Sequence, residues 1–205
     1  QLRDVSGNAV SQAGVVVPAA IATGGGTLGG TATASTSATG LATFTNLSIT
    51  GTVGPRTLSF SATGLGGVTS TAIAITAGAA TQLTITTPPS ATAPSGLAFA
   101  QQPTIQLRDV SGNAVSQAGV VVTAAIATGG GTLGGTATAS TTASGLATFT
   151  NLSITGTVGP RTLSFSATGL GSVTSSPITI TAGAATQLTI TTPPSATAPS
   201  GVAFA

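Results

Sequence analysis

Few residues of this chain could do acid, base or metal chemistry. The 205 residues include no His and no Cys, and the charged side chains are two acidic and four basic. They are Arg3, Asp4, Arg56, Arg108, Asp109 and Arg161. General acid–base catalysis near neutral pH needs a group that titrates there, and a serine nucleophile needs a neighbouring base. The sequence therefore predicts no catalytic residue, no cofactor and no enzyme activity.

Asp4 and Asp109 are the strongest candidates for binding a ligand. Each begins a D-V-S-G-N run that ends in Asn8 or Asn113. Calcium takes six to eight oxygen ligands and usually several carboxylates, whereas each run offers a single carboxylate. The alternative is an Asx-type turn, in which the aspartate accepts hydrogen bonds from nearby backbone amides. We expect the turn, keep Asp4 and Asp109 as weak calcium candidates, and assign no metal site.

Binding of phosphate, nucleic acid or membrane is not indicated. The loop GGGTLGG, at 24–30 and 129–135, lacks the G-K-[ST] ending of a phosphate loop and is expected to be a connection. The sequence pI near 11.5 reflects the scarcity of acids. Four scattered arginines give too weak a field to attract nucleic acid. No stretch approaches the ~18 apolar residues that would span a bilayer, so we expect no membrane insertion.

Glycans are the one modification that the sequence suggests. Asn46-Leu47-Ser48 and Asn151-Leu152-Ser153 match the acceptor pattern for N-glycosylation, which is short and common by chance. The Thr- and Ser-rich runs at 31–39 and 136–144 could carry O-linked sugars. Asn46 and Asn151 are therefore candidate glycosylation sites.

The chain is one module repeated. QLRDVSGNAV opens the sequence at 1–10 and returns at 106–115, so the period is 105 residues (106 − 1). Residues 1–100 and 106–205 are identical at 92 of 100 aligned positions. A period this long corresponds to a whole domain per repeat and exceeds the 20–50 residues of a solenoid coil.

The repeat is predicted to be all-β. Short alternating runs of Val, Ile, Thr, Leu and Phe are broken by Gly, Pro, Asn and Ser. In the second copy the predicted strands cover 82–86, 104–109, 120–128, 145–150, 151–155, 161–167 and 173–181. The Pro-rich PPSATAPSG run is expected to be a bend, and residues 187–191 are expected to begin another unit. About seven strands per repeat are typical of an immunoglobulin-like β-sandwich.

A family resemblance agrees with this fold class. The run QPTIQLRDVSGNAV, followed by GLATFTNLSITGTVGPRTLSFSATGL, resembles the bacterial immunoglobulin-like domains of the invasin and intimin type. The resemblance covers the whole chain. It implies tandem β-sandwiches in a large surface or secreted protein, and it implies no binding site in this module.

The domain phase is expected to be offset from the chain. Residues 1–77 are predicted to be an immunoglobulin-like domain without its first strands, 78–181 a complete domain, and 182–205 the first strands of a further one. Three explanations stay open: a window on a continuous fibre, completion of one chain by the terminal strands of the next, or a frayed end. An incomplete sandwich leaves an edge that invites an added strand.

The favoured function is structural. We expect a repeat of an extracellular filament, sheath or adhesin stalk at the cell surface, whose partners are copies of itself, head to tail or side by side. The alternative is a surface adhesion module that binds carbohydrate or a host surface. Such a module should carry an aromatic or charged cluster on its loops, and the sequence offers none.

Overall fold

The computed structural model describes residues 1–197, 199–201 and 203, and this part of the chain is all-β. No helix of the described residues is long and apolar enough to cross a membrane. The first unit (residues 1–77) contains β1 (Val16–Thr23), β2 (Thr27–Gly29), β3 (Thr33–Ser35), β4 (Ser48–Thr50), β5 (Gly54–Ala62), β6 (Leu65–Thr69) and β7 (Ile73–Ile75).

The second unit (residues 78–181) contains eleven strands, more than the seven expected, because several are only two or three residues long. They are β8 (Gln82–Thr87), β9 (Thr92–Pro94), β10 (Thr104–Arg108), β11 (Val121–Thr128), β12 (Thr132–Gly134), β13 (Thr138–Ser140), β14 (Leu146–Thr148), β15 (Ser153–Thr155), β16 (Gly159–Ser166), β17 (Val173–Thr174) and β18 (Ile178–Thr181).

Two sheets of the second unit enclose one core. One sheet has the order β14-β10-β8, and the other has the order β13-β11-β16-β18-β9, with β17 paired to β16. The buried side chains come from both sheets. Those with the least exposure include Ile105, Leu107, Val122, Phe149, Leu152, Ile154, Leu163, Phe165, Ile178 and Ile180. This is the predicted immunoglobulin-like sandwich.

Strand β16 illustrates how the sequence produces this packing. Successive side chains of a strand point to opposite faces, so an alternating sequence buries every second residue. In GPRTLSFS, Arg161, Leu163 and Phe165 are buried, while the residues between them are more exposed. The ring of Phe165 contacts that of Phe149, with centroids 5.3 Å apart. The two aromatic residues therefore join the facing sheets.

The first unit has the same local strands but only one of the two principal sheets. Its order is β3-β1-β5-β6, with β7 paired to β5. Residues 1–3 form only an isolated bridge, between Arg3 and Ala9. Phe44 and Phe60 are half-buried, although their counterparts Phe149 and Phe165 are fully buried. The apolar face of the first unit is therefore partly uncovered.

Three details differ from the sequence prediction. The predicted single strand over 173–181 is broken at Ser175, between β17 and β18. There the Ser175 hydroxyl, in place of a backbone carbonyl, accepts the hydrogen bond of the Leu163 amide, at 3.0 Å. The glycine-rich loop contains a strand, β12, paired with β15. The Pro-rich bend contains β9, which pairs parallel to β18.

One predicted strand of the C-terminal segment (182–205) is not formed, and the further domain expected to begin there stays a prediction. Residues 187–191 form no strand, and Leu188 and Ile190 are 102% and 74% exposed. No strand among the described residues pairs with them. Ala198, Val202, Phe204 and Ala205, which belong to the predicted first strands of a further domain, lie outside the described residues.

The two units provide a matched test of core burial. Ile178 is 1% exposed and Ile73, its counterpart, is 38% exposed. We expect Ile178→Ala to lower the free energy of unfolding by about 2–5 kcal/mol, and Ile73→Ala to cost less than about half of that. Denaturant unfolding followed by far-UV circular dichroism measures both, since the chain has no Trp or Tyr. Equal losses would contradict the difference in burial between the units.

Candidate functional site: the junction between consecutive units

The D-V-S-G-N run folds into the same turn in both units. The Oδ1 atom of Asp109 accepts hydrogen bonds from the backbone amides of Ser111, at 2.9 Å, and Asn113, at 2.8 Å. Gly112 has a φ of 80°, which favours glycine. Asp4 makes the equivalent bonds to the amides of residues 6 and 8, at 3.0 and 2.8 Å. The turn is thus local and independent of its surroundings.

In the second unit the Asp109 side chain also holds the joint between the units. Its Oδ2 atom accepts a hydrogen bond from the backbone amide of Gly78, at 2.9 Å. The Gln82 side chain at the start of β8 donates to the Asp109 carbonyl, at 2.6 Å. The turn therefore fixes the chain as it leaves the first unit and enters the second.

Asn113 makes the direct contact between the two units. Its Nδ2 donates to the carbonyl of Gly51, at 2.9 Å, and its Oδ1 accepts from the amide of Val53, also at 2.9 Å. The same Nδ2 donates to Oδ2 of Asp109, at 2.8 Å. One amide side chain thus bridges a turn of the second unit to a loop of the first.

Burial separates the two copies of the turn. Asp109 and Asn113 are 4% and 8% exposed, whereas Asp4 and Asn8 are exposed. A shallow crevice lies beside the bridge, lined by Val53, Ile75, Ala77, Ala114, Val115 and Ser116. The junction is therefore small, and its specific contacts are hydrogen bonds.

The hydrogen bonds stabilise the ionised form of both aspartates. The pKa of Asp109 is lowered from 3.8 to about 2, chiefly by the Asn113 amide and next by the Gly78 backbone amide, against an opposing effect of burial. The pKa of Asp4 is also lowered, with the Asn8 side chain as the largest cause. The Asp109 carboxylate at the junction is thus ionised at any ordinary pH.

The four arginine side chains also donate hydrogen bonds to backbone carbonyls. Arg161 is buried, and its guanidinium donates to the carbonyls of Gly130, Pro160 and Thr157 at 2.7–2.9 Å. Arg56 repeats this arrangement in the first unit. Arg3 and Arg108 each donate to a turn carbonyl four residues ahead, at 2.6 and 2.7 Å. These guanidinium groups fix loops.

Calcium binding at Asp4 or Asp109 would need further acidic ligands. The described residues contain no group of three or more His, Cys, Asp or Glu side chains. Both oxygens of Asp109 already accept hydrogen bonds from N–H donors. Turn formation accounts for the geometry, and calcium binding stays a prediction without added support.

Asn46 and Asn151 lie in turns before β4 and β15. They have φ values of 59° and 57°, in the left-handed region that Asn tolerates better than most residues. Both are exposed. The backbone conformation gives a structural reason for Asn at these places, and glycosylation stays a prediction.

The sequence analysis placed Asp109 in a turn and did not identify Asn113 as the inter-unit contact. The turn itself could be read from the D-V-S-G-N spacing. The partners of Asn113 are backbone atoms of Gly51 and Val53, which carry no side-chain signature. The one available signal is that both segments recur in the repeat, at Asn8 and at 156–158.

The chain is similar to several solved structures at low sequence identity. No protein-family model and no curated protein matches the chain. The D0-D1 domain of intimin matches at 20% identity and a TM-score of 0.36, with 83% of each chain covered. A beta-glycosidase from Bacteroides vulgatus matches at 14% identity and a TM-score of 0.43, covering 80% of this chain and 21% of that one.

A glycosyl hydrolase family 2 member from Bacteroides cellulosilyticus is a further match. Its identity is 16% and its TM-score 0.42, and the match covers 62% of this chain and 17% of that one. The chain thus spans about a fifth of the length of these two hydrolases. Their activities are properties of those proteins.

The lowered pKa of Asp109 predicts a loss of stability in acid. Because the folded pKa lies below the unfolded value near 3.8, the contribution of Asp109 is present above about pH 4 and is lost as the pH falls through about 2. Thermal unfolding of the second unit, followed by circular dichroism, should show this decline. Asp109→Asn should weaken the decline and lower the midpoint at pH 7.

Asp4→Asn is the matched control, since it changes the same turn without the Gly78 bond. Between pH 7 and pH 2, the unfolding midpoint of the second unit in Asp4→Asn should equal that of the parent chain at each pH. If both variants alter that transition equally, the contact with Gly78 contributes nothing beyond the turn.

Removal of the Asn113 side chain should loosen the junction and leave both cores folded. In Asn113→Ala the amide of Val53 loses its acceptor, so its hydrogen exchange should accelerate about fivefold or more, as expected for a bond worth about 1 kcal/mol. Nuclear magnetic resonance measures this amide directly. Asn8→Ala is the control, and exchange of Val53 that is unchanged in both variants would contradict the bridge.

Proposed function

We propose that this chain is a structural repeat of an extracellular filament, sheath or adhesin stalk, in which immunoglobulin-like units are joined end to end. The observation that carries the proposal is the junction at Asp109 and Asn113. It joins a turn of the second unit to Gly51 and Val53 of the first unit and to Gly78, where the second unit begins. A spacer needs such joints, because free linkers would let successive units swing.

The repeat encodes both halves of this junction. The turn recurs at Asp4 and Asn8, and the loop that receives it recurs as GTVGP at 51–55 and 156–160. The joint glycine recurs as Gly78 and Gly183. Each unit therefore carries a turn at one end and an acceptor loop at the other. Such a heterologous contact propagates from unit to unit and builds an extended array.

The surface chemistry supports a structural role. Phe99, Phe149 and Phe165 are buried, and Phe44 and Phe60 are half-buried. The arginines donate to backbone carbonyls, as described above. Among the described residues the loops thus present no aromatic or charged cluster of the kind that an adhesion module needs. The scarcity of acid and base, and the resemblance to invasin and intimin domains, fit a stalk in which Ser and Thr supply the polar surface.

Immunogold electron microscopy tests this proposal. Antibodies against residues 78–181 should label unpermeabilised cells of the source organism, along extended structures that leave the surface. Labelling that appears only after permeabilisation would exclude the extracellular role. Specific retention of the purified chain on a glycan array would favour the adhesion alternative instead.

A further inference from the structure

The buried guanidinium of Arg56 binds one peptide group of the loop that receives Asn113. Arg56 is 4% exposed, and its Nη2 donates to the Thr52 carbonyl, at 2.6 Å, and to the Thr52 hydroxyl, at 3.1 Å. Its Nε donates to the Gly25 carbonyl, at 2.9 Å. These acceptors are neutral oxygen atoms, so the charged guanidinium polarises the groups that it binds.

The glycine-rich loop of the first unit leaves the space that this guanidinium needs. Gly24 has a φ of 87°, and a Cβ atom at that position would lie 2.5 Å from Cδ of Arg56. A Cβ atom at Gly54 would lie 3.3 Å from Nη1 of the same side chain. A side chain at position 24 would therefore displace Arg56 from the loop that it holds.

The peptide group between Thr52 and Val53 connects Arg56 to the second unit. In a trans peptide the C=O and the N–H point in opposite directions. The carbonyl of this group accepts from Arg56, and its N–H donates to Oδ1 of Asn113, at 2.9 Å. One rigid group thus lies between the guanidinium of the first unit and an amide side chain of the second.

Asn113 continues this series of hydrogen bonds to Asp109. Its Nδ2 donates to Oδ2 of the Asp109 carboxylate, at 2.8 Å. The Val53 amide can only donate and an ionised carboxylate can only accept, so a side-chain amide, which does both, can join them. Three hydrogen bonds therefore follow one another from Arg56 to Asp109, and each is donated in that direction.

We propose that this series is a relay that couples the buried Arg56 of the first unit to Asp109 of the second, which makes Arg56 a positioning residue of the junction. Hydrogen bonds aligned head to tail polarise one another. A positive charge at the donating end and a negative charge at the accepting end add to this effect, because ionised groups make stronger hydrogen bonds than neutral ones. The two charges thus attract each other through two amide groups and need no direct contact.

The second unit has the same guanidinium arrangement with a different neighbour. Nη2 of Arg161 donates to the Thr157 carbonyl, at 2.7 Å. The adjacent Gly156 exchanges two hydrogen bonds with the Ser95 hydroxyl, both at 3.0 Å, where the first unit uses Asn113. The guanidinium arrangement is therefore a property of the unit, whichever side chain meets the glycine. Since the relay requires no particular location of the protein, it can fail while the proposed function stands.

Carboxyl titration by nuclear magnetic resonance tests the coupling. Arg56→Gln removes the charge at one end of the relay, so the acid ionisation constant of Asp109 should fall at least about twofold relative to the parent chain. Arg56→Lys keeps the charge without the planar fork and should give an intermediate constant. Arg161→Gln is the matched control in the second unit and should leave the constant unchanged. Equal constants in the parent chain and Arg56→Gln would overturn the proposal.

A double-mutant cycle with Asn113→Ala separates the relay from attraction through space. The relay predicts that Arg56→Gln changes the Asp109 constant only while the Asn113 side chain is present. In the Asn113→Ala background the change should therefore be less than about 1.2-fold. An equal change in both backgrounds would show that the charges interact through space, and the relay would be wrong.

The parent chain offers a further test that does not depend on the folding of an Arg56 variant. When Asp109 is protonated, the relay loses its negative end, so the Val53 amide proton should move upfield with the titration midpoint of Asp109. The guanidinium protons of Arg56 should shift with the same midpoint, a response that a structural role alone would not give. The Val158 amide is the control and should not follow that midpoint. Resonances of Val53 and Arg56 that ignore the Asp109 midpoint would refute the relay.

Discussion

The structure depends on one constraint: the apolar face of a sheet must be covered by a second sheet. Ala147, Phe149 and Phe165 are fully buried in the second unit, and Ala42, Phe44 and Phe60, in almost the same local sequence, are half-buried in the first. The difference is the presence of β8 and β9. Burial in this fold is thus a property of the partner strand, and a residue's own neighbours in sequence do not determine it.

The D-V-S-G-N turn is formed before any neighbouring unit contacts it. The D-V-S-G-N turn closes on itself wherever it occurs, because its hydrogen bonds are between residues two to four positions apart. Only in the second unit do Gly78, Gly51 and Val53 reach it. A preformed turn loses little further conformational entropy when a neighbouring unit binds, so a few hydrogen bonds suffice for a specific joint.

Sequence reasoning succeeded where a residue's role is local or periodic. The alternation in β16 and the Asp turn follow from spacing alone. It failed where a long-range partner decides. Thr92–Pro94 reads as a bend because Pro94 lacks an amide donor, yet it pairs parallel to β18 at the edge of the sheet, where that donor is not needed. The break at Ser175 depends on the Leu163 amide twelve residues away.

The charged side chains of this molecule form hydrogen bonds with its own backbone. Every guanidinium donates to a carbonyl in its own unit, and both aspartates accept backbone amides. Ionised groups make stronger hydrogen bonds than neutral ones, so a chain with 3% charged residues can still hold its loops in fixed conformations. Loops fixed from within are poorly suited to moulding around a ligand. They are well suited to meeting an identical unit in one orientation, which is what the proposed array of repeats would require.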